Sequence, residues 1–189
     1  LRRAEVLVAG DRHALARVHT ALAVCAFHSN DWDAALEHML TAVDLTGDDA
    51  LPGDLAVQES NIAVVYSRIG DQQRAIEYLQ RSAEHASAAA DPQAAAFAWM
   101  NLSGAQARAE NYTEALAAAD RALALSEQHD IISVLPLARN NAASALFELG
   151  RRAEGIACGR QALVEGQGAN DRNSVVDVRA NLAGMLIAE

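Results

Sequence analysis

The feature that most constrains the fold is a set of residue types that recur every 40 positions along the chain. In each 40-residue stretch a small residue and then an aliphatic one follow, four and five positions after a polar or charged residue. The three columns are Asp31, Asp71, Asn111 and Arg151; Ala35, Ala75, Ala115 and Gly155; and Leu36, Ile76, Leu116 and Ile156. Because the spacing is kept without an insertion, it predicts a stack of equivalent units.

Each unit contains two amphipathic segments separated by a turn. In the second unit, apolar residues at helical spacing run through 62–69, the pair Gly70-Asp71 interrupts them, and a second apolar face follows at 75–83. This arrangement predicts two helices that fold back on each other through a tight turn. One such pair has too little core to be stable alone, so neighbouring pairs must pack together.

These columns resemble the tetratricopeptide repeat, a helical hairpin that usually has about 34 residues. The residues that match its pattern are Trp32, Gly70-Asp71, Trp99, Asn101-Leu102, Tyr112, Ala115-Leu116 and Ala122-Leu123. The longer period here is similar to the variant found in kinesin light chains and in many bacterial signalling and transcription-regulating proteins. The resemblance covers essentially the whole chain. It implies an all-α, right-handed superhelical solenoid of antiparallel helix pairs, with about nine helices.

The chain is expected to form a single array of four full units and parts of two more. The units are 11–50, 51–90, 91–130 and 131–170, with a partial unit at 171–189 and the end of a preceding helix at 1–9. Predicted helices lie at about 12–28, 32–46, 52–69, 72–88, 92–109, 112–128, 133–149, 152–166 and 172–188. Asp11, Asp91 and Ser133 are placed to cap helix N-termini. Because both ends break off within a unit, we expect a piece of a longer protein.

The core must be built from small and aliphatic side chains. Apolar residues make up 51% of the chain but aromatic residues only 4%. Alanine is the strongest helix former, and its small side chain lets helices approach closely. We expect the aliphatic column of Leu36, Ile76, Leu116 and Ile156 to be buried in this core.

Charge and composition exclude several classes of partner. The net charge of −10 would repel nucleic-acid phosphates, so we expect no nucleic-acid partner. The sequence has no apolar run of the roughly 20 residues that a membrane span needs, so we expect no membrane partner. Cys25 and Cys158 lie on different units and outside any C-x-x-C motif, which favours a cytoplasmic location.

The sequence offers little catalytic chemistry. All 15 basic residues are arginine, which excludes lysine-dependent Schiff-base and P-loop chemistry. The six histidines are scattered outside metal-binding motifs, and no nucleophile elbow or dinucleotide loop occurs. We therefore expect no enzyme activity, metal site or cofactor in this segment. An attached effector domain stays an open alternative.

One column of identical residues is the strongest candidate for recognition. Asn61, Asn101, Asn141 and Asn181 stand at the same position in four first helices. In a right-handed stack of helical hairpins these helices line the concave surface. An amide there can pair with both polar groups of an extended peptide backbone. The alternative interpretation is structural, with each Asn bonding a neighbouring helix.

Two further pairs of residues lie beside this column on the same helix face. Phe97 and Leu137 come four residues before an Asn and would supply apolar contacts, while Arg68 and Arg108 come seven residues after one. The two arginines are candidates for a clamp that binds ligand carboxylates. The alternative is that they only stabilise the C-terminal ends of their helices.

From these features we predict a protein- or peptide-binding module. The resemblance implies that it is the regulatory or sensory part of a bacterial multidomain signalling or transcription-regulating protein. Two alternatives are a homo-oligomerisation scaffold, with a possible homodimer, and a small-molecule sensor with a pocket in the superhelix.

Overall fold

The computed structural model describes residues 11–47, 50–169 and 172–188. Within these ranges the chain is helical between short turns and has no strand. The nine helices in this part of the chain are α1 (Arg12–His28), α2 (Trp32–Thr46), α3 (Pro52–Ile69), α4 (Gln72–Ala88), α5 (Pro92–Arg108), α6 (Tyr112–Gln128), α7 (Leu135–Glu148), α8 (Arg152–Gly168) and α9 (Arg172–Ala188). The all-α prediction is confirmed. The helix end expected at 1–9 lies outside the described residues.

Consecutive helices pack as hairpins. The pairs are α1–α2, α3–α4, α5–α6 and α7–α8, and α9 packs against α7 and α8. The chain divides into two compact units, which we call unit 1 (Leu1–Ala89) and unit 2 (Ala90–Glu189). In unit 1 the second helix of one hairpin, α2, contacts the first helix of the next, α3, and in unit 2 α6 contacts α7 in the same way. This is the packing between neighbours that a repeated hairpin requires.

The turn inside each hairpin uses the left-handed backbone region at the same repeat position. Gly70 and Gly150 have φ values of 86° and 81°, and Asn30 and Glu110 have values of 58° and 62°. After Gly70, the backbone N–H of Asp71 donates to the carbonyl of Tyr66 at 3.0 Å, which satisfies one of the last carbonyls of α3. Glycine is favoured at such a turn because it has no Cβ to clash.

The predicted helix starts are mostly confirmed. The carboxylate of Asp11 accepts a hydrogen bond from the backbone of Ala14, and that of Asp91 accepts from Ala94 with Pro92 in the first turn. The prediction for Ser133 is wrong. Residues 132–134 form a turn, and α7 begins at Leu135 with Val134 as its N-cap and no side-chain hydrogen bond there.

A column of small residues forms the centre of each hairpin. Ala35, Ala75 and Ala115 have no exposed surface, and Gly155 is buried at the same position. The neighbouring aliphatic column follows the prediction at Ile76 and Ile156, which are buried. Leu36 and Leu116, in contrast, are only half-buried. Adjacent helical residues point about 100° apart, so only the small residue points directly at the partner helix.

Gly155 marks the closest approach within a hairpin. A methyl group at this position would lie 2.8 Å from the carbonyl oxygen of Ala143 and 3.0 Å from the backbone nitrogen of Phe147. Because atoms that are not bonded cannot approach so closely without displacement, the packing of α7 on α8 requires glycine here.

Candidate binding groove

Unit 2 contains a groove of about 370 Å³ along its first helices. Residues of α5, α7 and α9 line it, together with Tyr112 at the start of α6. The groove residues used below are Ala107, Tyr112, Phe147, Glu148, Asn181 and Gly184. We call this surface the unit 2 groove.

Small residues at two repeat positions leave this space open. The position of Ala107 holds Phe27 in the first repeat, where the Phe27 ring packs edge-on against Trp32 with centroids 5.2 Å apart. Tyr112 stands at the repeat position of Trp32. The residue at the repeat position of Phe27 is Ala107, which has no ring to pack against Tyr112. On the opposite wall, a methyl group at Gly184 would meet no atom within 4 Å. The groove therefore results from two missing side chains and not from a distortion of the helices.

The charged side chain among the described residues that line this groove is acidic. Glu148 is exposed on the wall formed by α7 and makes no ion pair within the described part of the chain. Loss of solvation raises the pKa of the Tyr112 hydroxyl, and the nearby carboxylates of Glu148 and Glu110 raise that pKa further. Two carboxylates thus lie close enough to Tyr112 to affect its ionisation.

The asparagine column has two kinds of environment. In unit 2, the Asn141 amide donates to the carbonyl of Met100 at 3.1 Å, and the Asn181 amide donates to Ser144 Oγ at 3.0 Å. Both bonds join the first helices of successive repeats, as the structural interpretation expects. Asn101 is exposed, and the described part of the chain shows no hydrogen bond of its side chain. A recognition role for the column stays a prediction.

Asn61, the member of the column in unit 1, lies at a different kind of site. It lines a small cavity of about 40 Å³ together with Gln58 and Met39. Arg68, seven residues later, is exposed in the last turn of α3. Its cationic side chain is placed to stabilise that helix end.

The remaining predicted site residues lie in unit 2. Phe97 and Leu137 are half-buried and pack against the core cluster that includes Met100 and Val134. Only the exposed part of each side chain could contact a ligand. The Arg108 guanidinium folds back along its own helix, and it would lie 3.5 Å from a methyl group at Gly104. A methyl group at Gly104 would also lie 3.4 Å from Asn141 Nδ2, so the structure brings the side chains of Arg108 and Asn141 to the same space beside Gly104. It places Asn181 in the unit 2 groove.

The described part of the chain has neither a metal-binding cluster nor a membrane-spanning helix. Among the residues that the structure describes, no cluster of three or more His, Cys, Asp or Glu side chains could hold a metal ion. Within the same residues, no helix is both long enough and apolar enough to span a membrane.

Residues 60–93 match the sequence model of the tetratricopeptide repeat, and this stretch covers the end of α3, the turn and all of α4. This match to the tetratricopeptide repeat covers one repeat of the chain. No curated protein matches it by sequence.

Solved structures with the same fold extend this likeness over the length of the chain. Aspartyl phosphate phosphatase F from Bacillus subtilis aligns with a TM-score of 0.81 at 18% identity, over 98% of this chain and 49% of the phosphatase. A signal transduction ATPase with a tetratricopeptide-repeat sensor, from Pyrococcus horikoshii, aligns with a TM-score of 0.81 at 11% identity over 94% of this chain and 28% of its own.

A third solved structure, with repeats described as similar to the tetratricopeptide repeat, has the same fold. A Podosopora anserina protein named as a kinesin light chain aligns with a TM-score of 0.71 at 15% identity, over 91% of this chain and 85% of its own. At these identities the likeness shows the tetratricopeptide-repeat fold alone. The chain spans about half the length of the Bacillus phosphatase.

A second column of polar and aromatic side chains at the 40-residue spacing was not recognised in the sequence. The column lies two residues before the asparagines and holds His19, Glu59, Trp99 and Arg139. Each side chain contacts the second helix of its own hairpin. His19 Nδ1 lies 3.1 Å from His38 Nδ1, and the Arg121 guanidinium lies 4.4 Å from the centre of the Trp99 ring. The constant 40-residue spacing could have indicated this column. The column is hard to recognise because its four residues differ in chemistry.

The charged members of this column, Glu59 and Arg139, form ion pairs with the second helix of their hairpins. Glu59 is fully buried, with His85 Nδ1 2.6 Å from one carboxylate oxygen and Arg81 Nη2 2.8 Å from the other. The N–H bonds of Arg81 do not point at that oxygen, so this contact is an ion pair without a hydrogen bond. In the fourth repeat, Arg139 Nε lies 2.9 Å from both oxygens of Glu165. These contacts hold hairpins together and lie outside the unit 2 groove.

Proposed function

We propose that this chain is a protein-interaction module that binds a peptide segment of its partner in the unit 2 groove. The observation that carries the proposal is the groove itself, which is lined by open small residues beside Tyr112 and Asn181. Its volume of about 370 Å³ falls within the range of about 300–1,000 Å³ that is usual for ligand pockets. Repeat solenoids commonly use the surface of their stacked helices for binding.

We further propose that the module is the regulatory or sensory part of a bacterial signalling protein in the cytoplasm. Two of the solved structures with this fold are named as a phosphatase of aspartyl phosphate and as a signal transduction ATPase with a repeat sensor. In both, the region like this chain makes up half of the protein or less. A binding segment that controls a separate output domain would have this relation to its host.

The first test is affinity capture from a bacterial lysate with two matched variants. Gly184→Leu fills the groove, while Gly168→Leu adds the same side chain at an exposed glycine of α8 outside it. Neither new side chain would meet an atom at its first carbon, so both variants should fold. We expect a partner that is recovered with the parent and with Gly168→Leu but lost with Gly184→Leu. Equal recovery with all three proteins would contradict binding in the groove.

The asparagines can be tested in the same experiment. The double variant Asn101→Ala/Asn141→Ala should weaken capture without loss of helical circular dichroism if the column contributes to recognition. Loss of helicity instead would make the column structural, which the bond from Asn141 to the Met100 carbonyl supports.

Self-association is the second candidate, and the exposed face of α9 favours it. Val176 is 65% exposed and Ile187 is 87% exposed. They are 11 positions apart, which is close to three helical turns, so they lie on one side of α9. Light scattering from about 1 to 100 μM would show a dimer if this face pairs with a second copy, and Ile187→Lys should abolish it. A monomer across that range would dismiss this candidate.

A further inference from the structure

The unit 2 groove combines an acidic residue, Glu148, with the ring of Tyr112, over which no arginine lies within the described residues. We propose that it binds an arginine side chain on an exposed segment of the partner. This inference rests on the proposed function and specifies the chemistry of the same site. It departs from the carboxylate clamp that Arg68 and Arg108 were predicted to form.

The charge of the lining favours a cationic ligand over an acidic one. Glu148 is the single charged residue among the described residues that line the groove. The guanidinium of Arg108, one repeat earlier at the same position, folds back toward Gly104 and does not line this space. Arg152 lies at the edge of the groove, where its guanidinium donates to the carbonyl of Ala188 at 3.4 Å and lies 5.3 Å from the centre of the Phe147 ring. Among the side chains that line the groove itself, a ligand carboxylate would meet only the charge of Glu148, whereas a ligand cation would gain a counter-charge. The net charge of −10 acts in the same direction at long range.

The ring of Tyr112 favours a guanidinium over other cations. Four aromatic rings in the described part of the chain have an arginine over their faces, at 4.4 to 5.5 Å from the ring centre. The pairs are Arg74–Tyr66, Arg81–Tyr78, Arg121–Trp99 and Arg152–Phe147. Tyr112 lines the groove, and within the described residues no arginine lies over it. A planar guanidinium can stack on such a ring while its N–H groups reach a carboxylate, which an ammonium does less well.

The rest of the groove suits the aliphatic part of the same side chain. Ala107 leaves the space beneath Tyr112 that Phe27 fills beneath Trp32 in the first repeat. Phe147 and Met185 supply apolar walls. The three methylene groups of an arginine can pack along these walls while its charged head stays near Glu148.

The test uses two peptides that differ only in charge. The first is acetyl-Gly-Leu-Arg-Leu-Gly-amide, and the second has citrulline, a neutral isostere, in place of arginine. Binding is measured by isothermal titration and by shifts of backbone amide signals in heteronuclear NMR spectra. We expect the arginine peptide to bind roughly five- to tenfold more tightly, with the largest shifts at Asn181 and Gly184. Glu148→Gln should reduce its affinity to that of the citrulline peptide.

Two groove-filling variants separate this inference from the proposed function. Ala107→Phe copies the ring of the first repeat, and Gly184→Leu enters open space, so at least one should keep the parent's melting temperature. Both should abolish binding of both peptides. Equal affinity for arginine and citrulline, with both peptides lost in the filled variants, would overturn the arginine inference and leave the groove as a peptide site. Binding that survives in the filled variants would contradict the groove itself. Failure of both peptides to bind the parent would overturn the inference.

Discussion

The hairpins α3–α4 and α7–α8 use the same two repeat positions for a polar contact with opposite charge. In α3–α4 the first helix supplies the acid, Glu59, and the second helix supplies His85. In α7–α8 the first helix supplies the base, Arg139, and the second helix supplies Glu165. Both pairs are separated by 26 residues. The repeat geometry therefore determines where the two side chains meet. Either helix can carry the acidic residue, provided that the other helix carries a basic one.

The two contacts differ in how far they are removed from water. The side chain of Glu59 has no exposed surface, whereas that of Arg139 is 20% exposed and also contacts Glu127 at 2.9 Å. A charge that is fully buried depends entirely on its partners, since no water can replace them. We therefore expect the α3–α4 contact to be the more sensitive of the two.

Removal of the partners of Glu59 should give the largest effect. Arg81→Ala/His85→Ala would leave a buried carboxylate without a counter-charge and should lower the free energy of unfolding by about 3–5 kcal/mol. Glu165→Ala, the matched change in α7–α8, should cost less because Arg139 keeps Glu127 and some water. Urea denaturation followed by circular dichroism measures both.

The control is a triple variant in which Glu59→Leu is added to the first two changes. It should recover most of the lost stability, because no buried charge is then left unpaired. A loss below about 1 kcal/mol in the double variant would mean that the exposed end of the cluster admits water to Glu59.

The small residues of the same hairpins give the second test. Gly155→Ala should lower stability by about 1–3 kcal/mol, because its methyl group would be forced against the backbone of α7. This is opposite to the usual gain from replacing a helical glycine by alanine, which is about 1 kcal/mol. In α3–α4 the same position is Ala75, which is fully buried, and Ala75→Gly should also destabilise. Thermal melts of both variants decide the matter, and a higher melting temperature for Gly155→Ala would contradict the close approach.

The hairpins themselves could be predicted from the sequence because they depend on local signals. Turn glycines such as Gly70, caps such as Asp91 and the apolar spacing all act within a few residues, so α3, α4 and α6 begin and end where predicted. The error at Ser133 arose because a serine can also stand inside a turn. There the backbone of residues 132–134 turns before α7 begins, and the hydroxyl is not needed as a cap.

The unit 2 groove could not be predicted in the same way. Its space comes from side chains that are absent at Ala107 and Gly184 and from the distances between three helices, neither of which a single repeat specifies. One member of the asparagine column, Asn181, lines the groove. Hydrogen-bond partners of the column, such as the Met100 carbonyl, become visible only when repeats are stacked. The contacts Glu59–His85 and Arg139–Glu165 could not be recognised from identical residues in a column. The acidic residue lies on the first helix in one hairpin and on the second helix in the other.

The smallest effect should come from transferring one contact into the other hairpin. The triple variant Glu59→Arg/Arg81→Gln/His85→Glu gives α3–α4 the residues that α7–α8 carries at 139, 161 and 165. We expect the free energy of unfolding to fall by only about 1 kcal/mol, because the new arginine has a carboxylate partner at position 85 but no second carboxylate like that of Glu127. Glu59→Arg alone should lose several times more, because it removes the buried carboxylate and places a second guanidinium beside Arg81. Both variants contain Glu59→Arg and so share the added volume of the guanidinium. A difference between their free energies of unfolding, measured by urea denaturation, therefore reports the effect of charge pairing. Equal losses would mean that the volume at this repeat position, and not the pairing of charges across the hairpin, decides which residues it accepts.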